Sequence, residues 1–321
     1  MTPPRPTPQR SAREARAARS RRAALRRALV TTVSVVALGG LAVGAVVVLL
    51  DRVQPQASER QGCVATLDGT PWRLSVTQAD NAALIATMTL RRDMPARAAT
   101  IGLATALQES SLVNVDYGDR DSVGLFQQRT SQGWGTIEEI MDPVYSTTKF
   151  YEGLETVDGY LDLPVTEAAQ AVQRSGFPDA YAQHETRSRA WAAALRGQTP
   201  AGVTCTLPEA ARVEAGNPTS VETALAAVET RAVRDLGEGV ASRGEGLSVV
   251  LDAAPLSGRD PVEAVAQALG SWSVATASAT GVQTVAVGDA RWDRSTRAWT
   301  TVDPAAAVPV GQVRLTLPAA G

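Results

Sequence analysis

Residues 28–50, ALVTTVSVVALGGLAVGAVVVLL, run for 23 positions without a charge. A run of that length can cross the hydrocarbon of a bilayer with some tilt, and it exceeds the apolar core of an ordinary signal peptide. It also lacks an Ala-x-Ala cleavage site, so an uncleaved anchor is the better reading. Residues 1–27 hold nine arginines and one glutamate. By the positive-inside rule such a tail stays in the cytoplasm, and everything from Asp51 onward lies outside. The sequence therefore predicts a cell-membrane protein with a single span, its N-terminus cytoplasmic and its C-terminal domains extracytoplasmic. Residues 1–27 form a basic disordered tail and 28–50 the transmembrane helix.

The chain's net charge of −2 hides this asymmetry, because the tail alone is strongly basic and the remainder acidic. An acidic remainder argues against nucleic acid as a partner. Two cysteines, Cys63 and Cys205, bracket a segment of about one domain on the oxidising side of the membrane, where they are expected to pair as a disulfide. One histidine, His184, and two distant cysteines make no ligand cluster of zinc-site spacing, so neither a metal nor another cofactor is expected.

After a short polar stalk the pattern turns helical. Thr77 reads as an N-cap for the first helix, with Asp80 three residues on, and Pro95 opens a second at ARAATIGLATALQESSLV. Further helices are expected near 136–143, 144–157, 166–175 and 180–195, giving a mainly α domain at 64–204. A Pro-, Gly- and Thr-rich stretch follows, read as a linker at 205–218. From 219 to 321 helices alternate with strand-like runs such as LSVVLDA, VQTVAVG and GQVRLTL, and Trp292 and Trp299 fall on the arms of a hairpin. That is the pattern of a small α/β domain, in which no nucleophile motif, phosphate loop or metal cluster is visible.

The second helix has almost no charge until Glu109, near its end. A helix apolar nearly all round is buried, and both burial and the negative end of the helix dipole disfavour an ionised carboxyl there. A carboxylic acid that keeps its proton near neutral pH can give it to a leaving-group oxygen, as glycoside cleavage requires. The bland alternative is a helix-end glutamate that reaches solvent. The loop beyond carries Asp116, Asp119 and Asp121, which suit Asx-type turns, although a hydrolase would need one of them as nucleophile or base.

The pair ALQESSL and GDRDSVGLFQQR resembles the lysozyme-like superfamily, specifically soluble lytic transglycosylases and goose-type lysozymes. Their shared pattern is a helix-ending Glu-Ser, here Glu109-Ser110, followed after a loop by Gly-Leu-(Met/Phe)-Gln, here Gly124-Leu125-Phe126-Gln127. The resemblance covers roughly 75–195. It implies an α+β protein whose lysozyme-like domain cleaves the MurNAc–GlcNAc bond of peptidoglycan, as a lytic transglycosylase or muramidase. Glu109 would be the acid and then the base that closes a 1,6-anhydro ring. Ser110, Gly124, Gln127, Gln128, Trp134 and Tyr181 become the candidate substrate-binding residues. Gln127 and Gln128 would offer amides to the sugars, and Gly124 would let backbone approach the ligand. Phe126 reads as core, while Trp134 suits a sugar-stacking face and ordinary packing equally. The chain departs from the family in lacking a Tyr-Asn-x-Gly element. It has AVQRSGFPDAYAQHE instead, with Tyr181 the nearest tyrosine. Peptidoglycan glycan strands, the membrane and an envelope protein docking on the C-terminal domain are the partners implied. The alternative is a non-catalytic envelope binding or assembly protein of the same fold.

Overall fold

A hairpin opens the described region, which is residues 61–320 of a computed structural model. Strands β1 (Gly62–Leu67) and β2 (Thr70–Leu74) pair antiparallel across Asp68-Gly69, both at positive φ, the turn for which Asp-Gly is suited. Two long helices follow, α1 (Val76–Arg91) and α2 (Ala96–Ser110). A two-residue ribbon joins β3 (Ser122–Val123) to β4 (Gln128–Arg129). Next come α3 (Ile137–Met141), α4 (Pro143–Glu155), α5 (Val165–Gln173) and α6 (Glu185–Leu195). Strand β5 (Val203–Thr206) then returns to β1, with Cys63 opposite Cys205 in the register. The two cysteines form a disulfide that closes a loop of sequence separation 142. In the chain-entropy account, a loop of that size restrains the unfolded chain by about 5 kcal/mol.

The remaining elements are α7 (Pro218–Leu236), β6 (Ala241–Arg243), β7 (Ser248–Asp252), α8 (Val262–Ala275) and α9 (Ala277–Thr280). They are followed by β8 (Thr284–Val287), β9 (Ala290–Asp293), β10 (Ala298–Thr301) and β11 (Gln312–Thr316). The strands make one antiparallel sheet in the order β10-β9-β8-β11-β7-β6. Because β11 lies between β7 and β8, those two strands run parallel and α8 is their crossover. Trp292 faces Trp299 across the β9–β10 hairpin.

This architecture corrects the expected fold class of a transmembrane helix, a mainly α lysozyme-like domain and a small α/β domain. The described residues form a mixed α/β structure with nine helices and three sheets. Among them no helix is long and apolar enough to cross a membrane, and segments 1–27 and 28–50 lie outside the described residues. The first half also contains a sheet, β2-β1-β5, that the helical periodicity did not announce. The physical reason the two halves do not separate is α8, in which every residue from Ala268 to Ala275 is buried. It packs against β8 and β11 on one face and against α1, α6 and β5 on the other. One continuous core therefore runs through residues of both halves.

Polar contacts cross the same seam. Asp235 is fully buried at the end of α7 and accepts hydrogen bonds from Arg231 Nε, Arg234 Nε and Trp272 Nε1 at 2.7, 2.7 and 3.0 Å. Arg231 reaches on to Asp80 of α1 at 3.0 Å. Arg196, after α6, donates to Met94 O at 2.8 Å and pairs with Asp260.

Candidate active site

Helix α2 begins after Pro95, which needs no N–H there, and fills its turns with Ala, Leu, Ile, Gly and Thr. These small side chains let α1, α5 and α6 pack closely on it. The helix stops at Ser111 and Leu112, both left-handed at φ 55° and 59°. Leu112 N donates to Ala106 O at 3.0 Å and Ser111 N to Leu107 O at 3.1 Å, so two of the last helical carbonyls are satisfied by the left-handed turn itself. Two side chains of α1 cap it further: Gln78 Nε2 donates to Ser111 O and Asn81 Nδ2 to Leu112 O, both at 2.8 Å. Glu109 thus sits on a helix end with little freedom to move. It is half-buried rather than enclosed, as are its neighbours Gln108 and Ser110 in the last turn.

Two donors converge on one oxygen of this carboxyl. Tyr181 Oη donates to Glu109 Oε1 at 2.7 Å and Gln173 Nε2 to the same atom at 3.1 Å. Oε2 has no partner among the described residues. Burial pushes the Tyr181 phenol well above its usual pKa; the Glu109 charge and the hydrogen bond to it add to this, and the Ser175 hydroxyl opposes it. Tyr181 therefore remains a proton donor throughout the range in which proteins work. Gln173 Nε2 also donates to Phe126 O at 2.8 Å, tying the carboxyl to the loop that carries the second motif.

Ser110 makes the same connection from the other side, its Oγ donating to Leu125 O at 2.8 Å with Ala106 O as the alternative acceptor at 3.1 Å. Gly124, at φ 80°, has no room for a Cβ, which would lie 2.9 Å from Ile140 O. The backbone it brings close is therefore that of α3. Gln127 turns its amide to Tyr117 O at 3.2 Å and Gly124 O at 3.4 Å, and Gln128 is buried with its amide on Ser146 O at 3.1 Å. Both glutamines hold the loop together, Gln128 from the interior and Gln127 from its part-exposed side. Phe126 is buried and stacks on Phe150, with ring centroids 4.6 Å apart.

Two of the loop aspartates are structurally engaged. Asp119 pairs with Arg129 at 3.0 Å. Asp121 accepts the backbone N–H of Ser131 at 2.8 Å and its hydroxyl at 3.0 Å, and these bonds, the backbone one foremost, hold its carboxyl below the usual range. No partner of Asp116 appears among the described residues.

Trp134 is half-buried and lines a cavity of about 440 Å³ with Gln132, Gly153, Thr156, Gln173 and Arg174. Gln173 thus belongs both to the cavity wall and to the grip on Glu109. Of the residues expected at the site, the structure brings Glu109, Ser110 and Tyr181 together with the Gly124–Gln128 loop. Trp134 joins them through Gln173.

Gln173 carries no signal of its own in the sequence, although it stands in AVQRSG at the start of the segment that holds Tyr181. Tyr117 and Phe177 are the two most exposed aromatic side chains among the described residues. They are 72% and 76% exposed, on the loop after α2 and the loop after α5. Next to Glu109, Gln108 Oε1 lies 3.1 Å from Gln183 Nε2 and 3.0 Å from His184 Nε2. Burial, and secondarily Arg187, keep the His184 imidazole below its usual pKa.

Among the described residues no group of three or more His, Cys, Asp or Glu is placed to hold a metal ion. No model of a known protein family matches the chain, and no curated protein matches it.

Proposed function

We propose that the chain is an extracytoplasmic glycan-cleaving enzyme, acting on the MurNAc–GlcNAc bond of peptidoglycan as a lytic transglycosylase with Glu109 as its acid. The observation that carries this reading is the pair of donors on Glu109 Oε1. A carboxyl with both donors on one oxygen keeps that oxygen as acceptor in either protonation state. The other, Oε2, is left to carry and release the proton. The disulfide between Cys63 and Cys205 fits an oxidising compartment.

Oε2–H protonates the glycosidic oxygen, and the bond from that oxygen to the muramoyl C1 breaks with an oxocarbenium-like transition state. The carboxylate so formed then takes the proton of the muramoyl 6-hydroxyl as O6 attacks C1, which closes the anhydro ring. Water is not consumed, and one carboxyl serves both steps. That economy suits a site where Asp119 and Asp121 are engaged in holding the loop. Trp134, Tyr117 and Phe177 offer faces on which pyranose rings can stack.

The test is mass spectrometry of purified peptidoglycan digested by the full-length chain and by Glu109→Gln. Anhydro-muropeptides are expected, with turnover reduced about 10²- to 10⁴-fold in the variant, the usual contribution of a general acid. Reducing-end products would replace transglycosylation by hydrolysis and direct attention to Asp116. Wall that both proteins bind but leave uncut would overturn the enzyme reading in favour of a binding module.

A further inference from the structure

A groove of about 850 Å³ lies in the C-terminal half, walled by residues 208–214, the first turns of α7 and residues 278–281. Arg294 stands between this groove and a smaller cavity of about 150 Å³, lining both, and is only 5% exposed. Its Nε donates to Pro208 O at 2.7 Å, and Nη1 to Ala277 O and Val282 O, both at 3.0 Å. These acceptors are neutral carbonyls. They fix the guanidinium in place without balancing its charge, and Arg294 has no carboxylate partner among the described residues. Nη2 has no acceptor there either, and it is not sealed from solvent. Burial without a counter-charge lowers the guanidinium's pKa, the mark of a cation left uncompensated.

The wall opposite supplies a second, independent feature. Val213 is bonded on both sides of its peptide, donating to Pro318 O at 2.7 Å and accepting from Ala320 N at 2.8 Å. The N–H groups of residues 209–212 make no backbone hydrogen bond among the described residues, and this segment lines the groove. Backbone N–H groups left without acceptors can be satisfied by the carbonyls of an extended peptide laid beside them. Glu209 and Glu214 also line the groove, but neither is within ion-pair distance of Arg294, and Arg212 offsets part of their charge.

We infer that this groove binds the C-terminal end of an extended peptide, its free carboxylate on Arg294 Nη2 and its backbone along residues 209–212. Ala224, Ala227 and Leu317 give the peptide an apolar bed, and Thr219 and Thr223 add hydroxyls along α7. A carboxylate is the anion that matches one free guanidinium edge and arrives attached to a backbone able to pair. The assignment stands on residues separate from Glu109 and does not require that Glu109 cleave anything.

The experiment is calorimetric titration of the full-length chain with N-acetyl-alanyl-alanine, its C-terminal amide, and acetate. Saturable binding of the acid is expected, at least tenfold weaker for the amide and for acetate. Ala227→Trp, which fills the groove from an exposed helix position, should abolish it. Arg294→Gln should weaken the acid at least tenfold. Should that variant fail to fold, the acid–amide comparison reads the same charge on the unaltered protein. Equal binding of acid and amide, no binding of the acid, or full binding by Ala227→Trp would overturn the inference. Acetate binding as tightly as the peptide acid would overturn the peptide and leave a bare anion site.

Discussion

Tyr181 reaches Glu109 from 72 positions along the chain, and its hydroxyl is the shorter of the two contacts on Oε1. Tyr181→Phe keeps the buried ring and removes that hydroxyl alone. Hydrogen bonds to a charged partner contribute about 1.5–3 kcal/mol, so turnover should fall roughly ten- to hundredfold. KM should change little, because the one phenol proton is engaged on Glu109 Oε1. Gln173 still holds Oε1 in the variant, which is why the loss should stop short of that in Glu109→Gln. Unchanged kcat in Tyr181→Phe, with the fold intact by circular dichroism, would remove the tyrosine from the machinery. Glu109 and Ser110 were legible because they stand together in one short motif at a helix end. Tyr181 was legible only as the nearest tyrosine, and Gln173 not at all, since both arrive through tertiary packing of a segment whose local sequence carries no donor pattern.

The loop between β3 and β4 is set by contacts that tolerate little change. Gly124 combines a φ of 80° with a space that would put a Cβ 2.9 Å from Ile140 O. Gly124→Ala should therefore destabilise the protein by roughly 1–3 kcal/mol, read as a lower urea midpoint with an unchanged m-value. An unchanged midpoint would show that α3 gives way freely. Helices α1 and α2 were readable because their apolar pattern is long, and Pro95 marked the second start correctly. The cap of α1 is Ser75 and not Thr77: Ser75 and Gln78 exchange hydrogen bonds in a capping box, a pairing that Thr77 with Asp80 does not make. The β1–β2 hairpin passed unread although its Asp-Gly turn was in plain view. Short strands announce little by periodicity, and β1 gains its second neighbour only when β5 returns to it. The insertion of β11 between β7 and β8 is equally invisible to local pattern, because hydrophobic alternation fixes which face of a strand is buried and not who its neighbours are.

For the molecule as a whole, several titrating groups pull stability in one direction. His184 is held below its ordinary 6.5, chiefly by burial, so the unfolded chain binds that proton more readily than the folded one. Its contribution is complete above pH 6.5 and is lost as pH falls. Asp121 and Glu139 are held below 3.8 and 4.5, mainly by backbone N–H groups, and theirs is lost lower still. Asp80, raised mainly by its burial, opposes them in acid. Tm should decline from pH 7.5 to pH 5, and His184→Gln should flatten that first stage while leaving the steeper fall below pH 4. Identical slopes in variant and parent would exclude the imidazole as its source. The two halves were read from the sequence as separate units because each has its own helical and strand pattern, and no local signal told that α8 fills a core belonging to both. The bond between Cys63 and Cys205 carries a mechanical consequence. When the chain is stretched from residues 61 and 320, tension passes from β1 straight across the sulfurs to β5, and the residues between them bear none of it. Roughly 500 Å of contour, Glu109 included, stays slack until the bond is reduced, so the cleft is shielded from load while everything after β5 is not.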